Sequence, residues 1–300
     1  MPINLWKLTQ GEPTLEKLAQ RAKTIRHIFT DLDGSLLDDK KNCSPKAERY
    51  INILRSEGIG FTLVSGRVDL QMRHLGELWQ MEGAAISCNG ALIRNWCSDT
   101  ALVSHELSTH AATLLHQYAL ETDTPYLIYN PSAIYGNSKS SAFQQHFHQY
   151  NRRYAMSSFP ATPVIQMEPD TPLPSKILKY KIFTKNTEME LAKLQAHGID
   201  LTQFSIIESE RGAIDFAAPG VSKGQGLREL AEIENIDLSE SIYFGDELND
   251  LSAFDEVALS FAPSNAHPQI IAAADYLCSD NNDDAFAKLL AILWPQLQSQ

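Results

Sequence analysis

Apolar runs at 25–30, 59–64 and 84–88 alternate with stretches of helical spacing at 45–57 and 68–79. Ser44-Pro45 reads as an N-cap followed by proline at the first helical position, and Gly58 closes that helix. Short continuous apolar runs separated by amphipathic helices predict a parallel, doubly wound sheet buried on both faces. The pattern resumes at Ser222, with a helix to about 234 and strands at 241–244, 257–261 and 276–278.

The intervening segment has a different rhythm. Alternating runs at 91–96 and 101–107 predict a hairpin, and 125–130 and 133–137 predict a second one across Pro131-Ser132. Helices are expected at 109–121, 141–154 and 189–197, strands at 177–183, 204–208 and 213–216, and a Pro-rich loop at 160–174. The fold class is therefore α/β: a doubly wound parallel sheet interrupted by an α+β insert with one mixed or antiparallel sheet and helices on one face. The domain reading is an N-terminal extension (1–24), a core (25–90 and 211–300) and an inserted domain (91–210). Residues 15–23 of the extension form an amphipathic helix suited to packing on the core or on a partner.

Charge sharpens this division. The chain of 300 residues carries a net charge of −12, which argues against a general nucleic-acid binder. Residues 91–210 hold 9 Lys/Arg against 11 Asp/Glu, and six of the nine histidines, so the negative charge is concentrated elsewhere. No apolar stretch is long enough to span a membrane. Residues 1–20 mix charges among apolar positions and lack the apolar core of a secretory signal, and the four cysteines show no CxxC spacing. A cytoplasmic, reduced protein is the expectation.

Two acidic motifs follow predicted strands: Asp31-Leu32-Asp33-Gly34-Ser35 and Gly245-Asp246-Glu247-Leu248-Asn249-Asp250. Both fall at the C-terminal edge of a parallel sheet, where ligands bind. Carboxylates gathered there repel one another unless a cation intervenes, and Mg2+ is the simplest hard cation for oxygen ligands. A carboxylate at Asp31 facing phosphorus can act as a nucleophile, and Asp33 is placed to move the proton; an Asx turn at a strand end accounts for the same residues. Ser65-Gly66-Arg67 offers a hydroxyl and N–H groups to a phosphate oxygen, or an ordinary N-cap. Lys223 opposes the dipole of its own helix, which suits a cation aimed at phosphate and Asp31 as well as it suits a solvated lysine. Asp246 is placed to ligate metal, with Asn249 and Asp250 one turn on, orienting the metal's waters or Lys223.

In this order the four motifs resemble the set that defines the haloacid dehalogenase-like (HAD) hydrolases, and most resemble the Cof-type phosphatases. Ser87-Cys88-Asn89-Gly90-Ala91 is similar to the segment that enters the Cof-type cap, and 214–224 to the one that leaves it. The resemblance implies a Rossmann-like HAD core with a type-C2 cap at 91–210. It implies Asp31 as nucleophile and Asp33 as general acid/base. Mg2+ would be held by the Asp31 carboxylate, the Asp33 carbonyl and Asp246, with Asp250 supporting. Ser65, Gly66, Lys223 and Asn249 would bind phosphate. The expected activity is Mg2+-dependent hydrolysis of a small phosphorylated metabolite, a sugar phosphate or phosphorylated cofactor, through an aspartyl phosphate. The alternatives are a phosphotransferase or phosphomutase, which would draw on Arg94, Arg152, Arg153, Lys176, Lys179 and Lys181 for a second phosphate, and a non-catalytic protein that binds a phosphorylated ligand. Expected partners are limited to that small molecule, without nucleic acid or membrane.

Overall fold

The computed structural model describes residues 6–7, 15–81, 83–137, 144, 163–210 and 212–299. They form two compact units, one of Met1–Ser65, Gly83–Ile86 and Lys223–Gln300, the other of Gly66–Glu82 and Ser87–Ser222. Among the described residues no helix is long and apolar enough to cross a membrane.

The first unit is built on the expected parallel sheet. Its strands run in the order Trp6–Lys7, Tyr276–Leu277, Leu259–Ala262, Ser241–Phe244, His27–Thr30 and Gly60–Leu63, and Val64 adds a parallel bridge to Ile86. All pairings are parallel except that of Trp6–Lys7, which lies antiparallel on the outer edge. The strand His27–Thr30 sits between Gly60–Leu63, reached through the helix Pro45–Ser56, and Ser241–Phe244, reached only after the second unit. That reversal of strand order is where open α/β sheets leave a crevice beyond their carboxyl ends. The helix Pro45–Ser56 starts as expected: Ser44 accepts from the Ala47 N–H at 3.0 Å and Pro45 occupies the first position. The amphipathic N-terminal helix, Leu15–Ala22, packs on this unit's own helix Ala285–Leu293, burying Leu18 and Ala22.

A buried histidine makes this unit sensitive to acid. His27, at the start of its strand, meets Thr62 Oγ1 through Nε2 at 2.9 Å. Burial pulls its pKa down to about 4. The folded-state pKa lies below the unfolded value, so stability is complete above about pH 6.5 and falls as pH drops toward 4. Between pH 7 and 5 the wild type is expected to lose about 2 kcal/mol more unfolding free energy than His27→Asn, measured by urea denaturation.

The second unit carries a six-stranded sheet in the order Ser205–Glu210, Ala213–Ala217, Lys179–Phe183, Tyr126–Tyr129, Ile134–Asn137, Val164–Met167. It is antiparallel except for the last pair, hence mixed. One face packs Tyr126, Ile128, Tyr180, Ile182, Ile214 and Phe216 against the helix Thr109–Glu121 and against Leu194 of the helix Thr187–Ala196. The other face packs Leu127, Tyr129 and Ala217 against Val68, Cys88, Ala91 and Leu92.

Two expectations need correction. The 160–174 segment is not all loop: Val164–Met167 pairs in parallel with Ile134–Asn137, because ladder hydrogen bonds outweigh the prolines that flank it. The helix at 68–79 is two pieces, a 3-10 turn at Asp69–Gln71 and a helix Arg73–Leu78. Asp69, fully buried, accepts from Arg73 Nε at 2.8 Å and Trp96 Nε1 at 2.6 Å, and this anchorage sets the first turn. The helix expected at 141–154 lies outside the described residues apart from Gln144.

Candidate active site

Register brings the two acidic motifs together. Thr30 pairs with Phe244, and the Asp31 N–H donates to the Phe244 carbonyl at 2.9 Å, so Asp31 and Gly245 leave adjacent strands side by side. Behind Asp31 the chain folds back at once: the Leu37 N–H donates to the Leu32 carbonyl at 2.8 Å. Gly34 takes φ +84°, and a Cβ there would sit 2.2 Å from Asp246 Oδ2. The turn thus needs glycine twice, for its left-handed backbone and for room beside the Asp246 carboxylate. Gly34→Ala is expected to push that carboxylate aside and lower turnover by about 100-fold, measured as kcat/KM on a phosphate monoester.

Asp31, Asp246 and Asp250 offer carboxylate oxygens within 4.8 Å of one another. All three are buried. Asp250 is fully committed: Oδ1 accepts from Lys223 Nζ and Tyr243 OH, each at 2.6 Å, and Oδ2 accepts from the backbone N–H groups of Asp246 at 2.9 Å and Glu247 at 3.0 Å. Lys223, with no exposed surface, bridges from Asp250 to Asp31 Oδ1 at 3.0 Å. Asp246 Oδ1 accepts from Ser35 Oγ at 2.7 Å.

Electrostatics follow from this crowding. Burial, the largest cause, pushes Asp31 up to about 7; Lys223 opposes it, while Asp250 and Asp33 add to it. Burial, then Asp31 and Asp250, drive Asp246 well above the usual carboxylate range. Burial works against the Lys223 ammonium, but Asp250 and Asp31 outweigh it and its pKa is raised. Burial and Asp250 keep the Tyr243 phenol protonated, hence a donor. Asp31 and Asp246, gathered beside the committed Asp250 and the Lys223 ammonium that bridges it to Asp31, are oxygen donors that fit a hard divalent cation.

The other expected site residues are placed as follows. Asp33 stands outside the three-carboxylate cluster; its side chain, a third exposed, pairs with Lys41 Nζ at 2.7 Å. Ser65 lies just past the strand Gly60–Leu63, buried, its N–H donating to the Ile86 carbonyl at 2.9 Å. Asn249 lies half-buried on the 3-10 turn Leu248–Asp250. Gly66 belongs to the second unit, where its carbonyl accepts from Lys179 Nζ at 2.8 Å. Tyr243 and Lys41 were not legible as site residues. A tyrosine in a buried strand that ends at an acidic turn was the available signal for Tyr243, since a buried hydroxyl needs a partner. Lys41 sits in a polar stretch with no periodicity to mark it. Of the basic residues considered for a second phosphate, Arg94 is paired with Asp69 and Asp99, and Lys179 and Lys181 with Asp215. Tyr126 is core, stacked on Tyr180, and Tyr129 lies under Lys179.

The model of the haloacid dehalogenase-like hydrolases matches residues 28–290. The chain belongs to this family. The HAD relatives include the pyridoxal phosphate phosphatase YbhA of Escherichia coli K12, 24% identical over 276 residues that cover 89% of this chain and 98% of that protein. The 5-amino-6-(5-phospho-D-ribitylamino)uracil phosphatase YbjI of the same organism is 26% identical over 265 residues, covering 86% and 92%. A HAD-like hydrolase structure from Bacteroides thetaiotaomicron superposes with a TM-score of 0.76 at 23% identity, covering 90% of this chain and all of that one. The expected HAD fold and the Cof-type phosphatase grouping agree with these matches.

Proposed function

We propose that this HAD hydrolase is a Mg2+-dependent phosphomonoesterase acting on a small phosphorylated metabolite. The observation that carries this reading is the buried Asp31–Lys223–Asp250 array beside Asp246 at the switch point of the sheet. Asp31 attacks phosphorus, the bond to the leaving oxygen breaks, and Asp33 gives that oxygen its proton. Asp33 then takes a proton from water, which attacks the aspartyl phosphate and releases orthophosphate and the Asp31 carboxylate. Lys223, Ser65, Asn249 and the Gly66 N–H hold the phosphate oxygens as charge develops on them.

Asp31, Asp246 and the Asp33 carbonyl would hold Mg2+. Asp250, with four donors already on its oxygens, serves to set Lys223 and the turn at Asp246. Bound Mg2+ supplies charge neutralisation at the phosphoryl oxygens. In this reading 1–24 is an extension, 25–90 and 211–300 the core, and 91–210 the cap that selects the leaving group. Relatives named for pyridoxal phosphate and for a phosphoribitylamino uracil support a phosphorylated cofactor or sugar-phosphate-like substrate.

The test is hydrolysis of p-nitrophenyl phosphate followed by a metabolite panel. Activity is expected with Mg2+, to fall by at least about 100-fold in EDTA, and to return on Mg2+ addition. Hydrolysis that persists in EDTA overturns the metal requirement. Orthophosphate binding with no turnover of any phosphate monoester makes the chain a phospho-ligand binder instead.

A further inference from the structure

The reaction above asks Asp33 to serve a leaving oxygen and then a water, and the cluster of Asp31, Asp246 and Asp250 does not include its carboxylate. A group that transfers a proton must come within about 2.6–3.2 Å of each oxygen in turn. An aspartate a third exposed has rotamers that miss that position unless something fixes it. Asp33 Oδ1 meets Lys41 Nζ at 2.7 Å. Both residues belong to the first unit, as does Asp31.

A lysine is by default a poor clamp. Its four-carbon stem is flexible, and exposed ion pairs contribute little to stability. What distinguishes Lys41 is its backbone. It takes φ +65°, a left-handed conformation that glycine and asparagine adopt with less strain. Its N–H donates to the Asp38 carbonyl at 2.8 Å, the Asp38 N–H donates to the Asn42 carbonyl at 3.0 Å, and the Asn42 N–H donates to Asp38 Oδ1 at 2.8 Å. Leu37, Asp39 and Ser44 tie this turn to the C-terminal part of the same unit. Asn281 Nδ2 donates to the Leu37 carbonyl at 3.1 Å, the Asp39 N–H donates to Asn282 Oδ1 at 3.0 Å, and Ser44 Oγ donates to Asp284 Oδ1 at 2.6 Å. Asn281, 5% exposed, is itself fixed by Asn265, with which it exchanges hydrogen bonds at 2.8 and 3.2 Å. The lysine therefore springs from an anchored backbone. A left-handed position filled by a long cation that ends on Asp33 points to a role for that cation.

We infer that Lys41 is a positioning residue for proton transfer: held on the loop 37–44, its ammonium fixes the Asp33 carboxylate where it can pass a proton to the leaving oxygen and take one from water. This rests on the role proposed above for Asp33. Lys41 itself neither gives nor takes a proton, and it has no part in holding the phosphate.

The experiment measures kcat/KM in Mg2+ on phenyl phosphate and on p-nitrophenyl phosphate. It compares wild type, Lys41→Met, Lys41→Arg, Asp33→Asn and the double variant Asp33→Asn/Lys41→Met. Thermal melting verifies folding, and inhibition by orthophosphate reports the phosphate site. Phenolate is a basic leaving group that needs a proton as it departs, whereas the nitro group stabilises its phenolate without one. Lys41→Met is expected to lower kcat/KM about tenfold on phenyl phosphate and no more than about threefold on p-nitrophenyl phosphate, as for a reacting group left misplaced. Orthophosphate inhibition and melting temperature should stay near wild type. Lys41→Arg, whose guanidinium also donates to a carboxylate, should keep both esters within about threefold of wild type. In the Asp33→Asn background, Lys41→Met should cost no more than about twofold further, because the group it positions is gone. If Lys41→Met does not fold, Lys41→Gln carries the same expectations. A folded variant that loses equally on both esters, or on neither, overturns the inference, as do an equal loss in Lys41→Arg and an additive loss in the double variant. Asp33→Asn with wild-type kcat/KM on phenyl phosphate, or a wild type that hydrolyses neither ester, overturns the underlying reading of the site. That result is distinct from an impaired Asp33→Asn beside an unaffected Lys41→Met.

Discussion

Asp31→Asn is expected to lower kcat on any phosphate monoester by at least about 10^4-fold while leaving the protein folded. An amide oxygen is a poor nucleophile, cannot carry the acyl phosphate, and is a weak ligand for a hard cation. The effect on stability runs the other way. Burial raises the Asp31 pKa to about 7, with Asp250 and Asp33 adding to the shift and Lys223 opposing it, so the ionised carboxylate is an electrostatic cost in the metal-free fold. A carboxyl whose folded-state pKa lies above its unfolded value favours folding at low pH, and that contribution fades as pH rises toward 7. Near neutral pH the metal-free Asp31→Asn protein should therefore melt at or above the wild-type temperature. Inactivation without loss of stability identifies a residue kept for chemistry. Retained turnover removes Asp31 from the nucleophile's role, and a collapse of stability assigns it a structural one.

The second large effect belongs to Lys223. Its ammonium has no exposed surface and joins Asp31 at 3.0 Å to Asp250 at 2.6 Å. Lys223→Met leaves Asp31, Asp246 and Asp250 buried without that cation. The unfolding free energy is expected to fall by about 3–5 kcal/mol, the cost of stripping one partner from a buried pair. Turnover should fall by about 10^2–10^3-fold, the scale for one preorganised charge at a developing oxyanion. Two controls separate these terms. Adding Mg2+ should raise the melting temperature of Lys223→Met more than that of the wild type, because the uncompensated carboxylates gain more from the cation. Adding Asp250→Asn to Lys223→Met should recover part of the stability and none of the turnover. Wild-type stability and turnover in Lys223→Met would remove the lysine from both roles.

The sheet of the first unit was readable because parallel strands buried on both faces are continuous apolar runs. The ends of the helix Pro45–Ser56 were readable because Ser44-Pro45 and Gly58 carry their signals locally. The motif residues were readable for a related reason: a carboxylate directly after such a run must emerge at the sheet edge, wherever the strand sits. Less was legible where a side chain's job depends on a distant neighbour. Asp250 reads as an acidic residue one turn past Asp246 able to orient Lys223, which it does, but its contacts with Tyr243 OH and the Asp246 and Glu247 N–H groups were not legible. The pairing of Lys41 with Asp33 depends on how 33–44 folds back, and Asp38 and Asn281 shape that return by hydrogen bonds no spacing rule reports. The break in 68–79 and the strand at 164–167 likewise follow from contacts with Trp96 and with Ile134–Asn137, not from their own composition.

By itself the amino-acid order determined what each segment can form and which groups it brings to its end: periodicity, caps and breakers act within a few residues. It therefore placed Asp31 and Asp246 at strand ends and Lys223 at a helix start. Only the tertiary structure decided that those ends are adjacent. The register that sets Thr30 opposite Phe244 joins positions separated by the whole second unit. Adjacency then turns separate carboxylates into one cluster with raised pKa values and a single bridging ammonium. Coulomb energy and desolvation depend on distance and burial, and neither exists until the chain has folded.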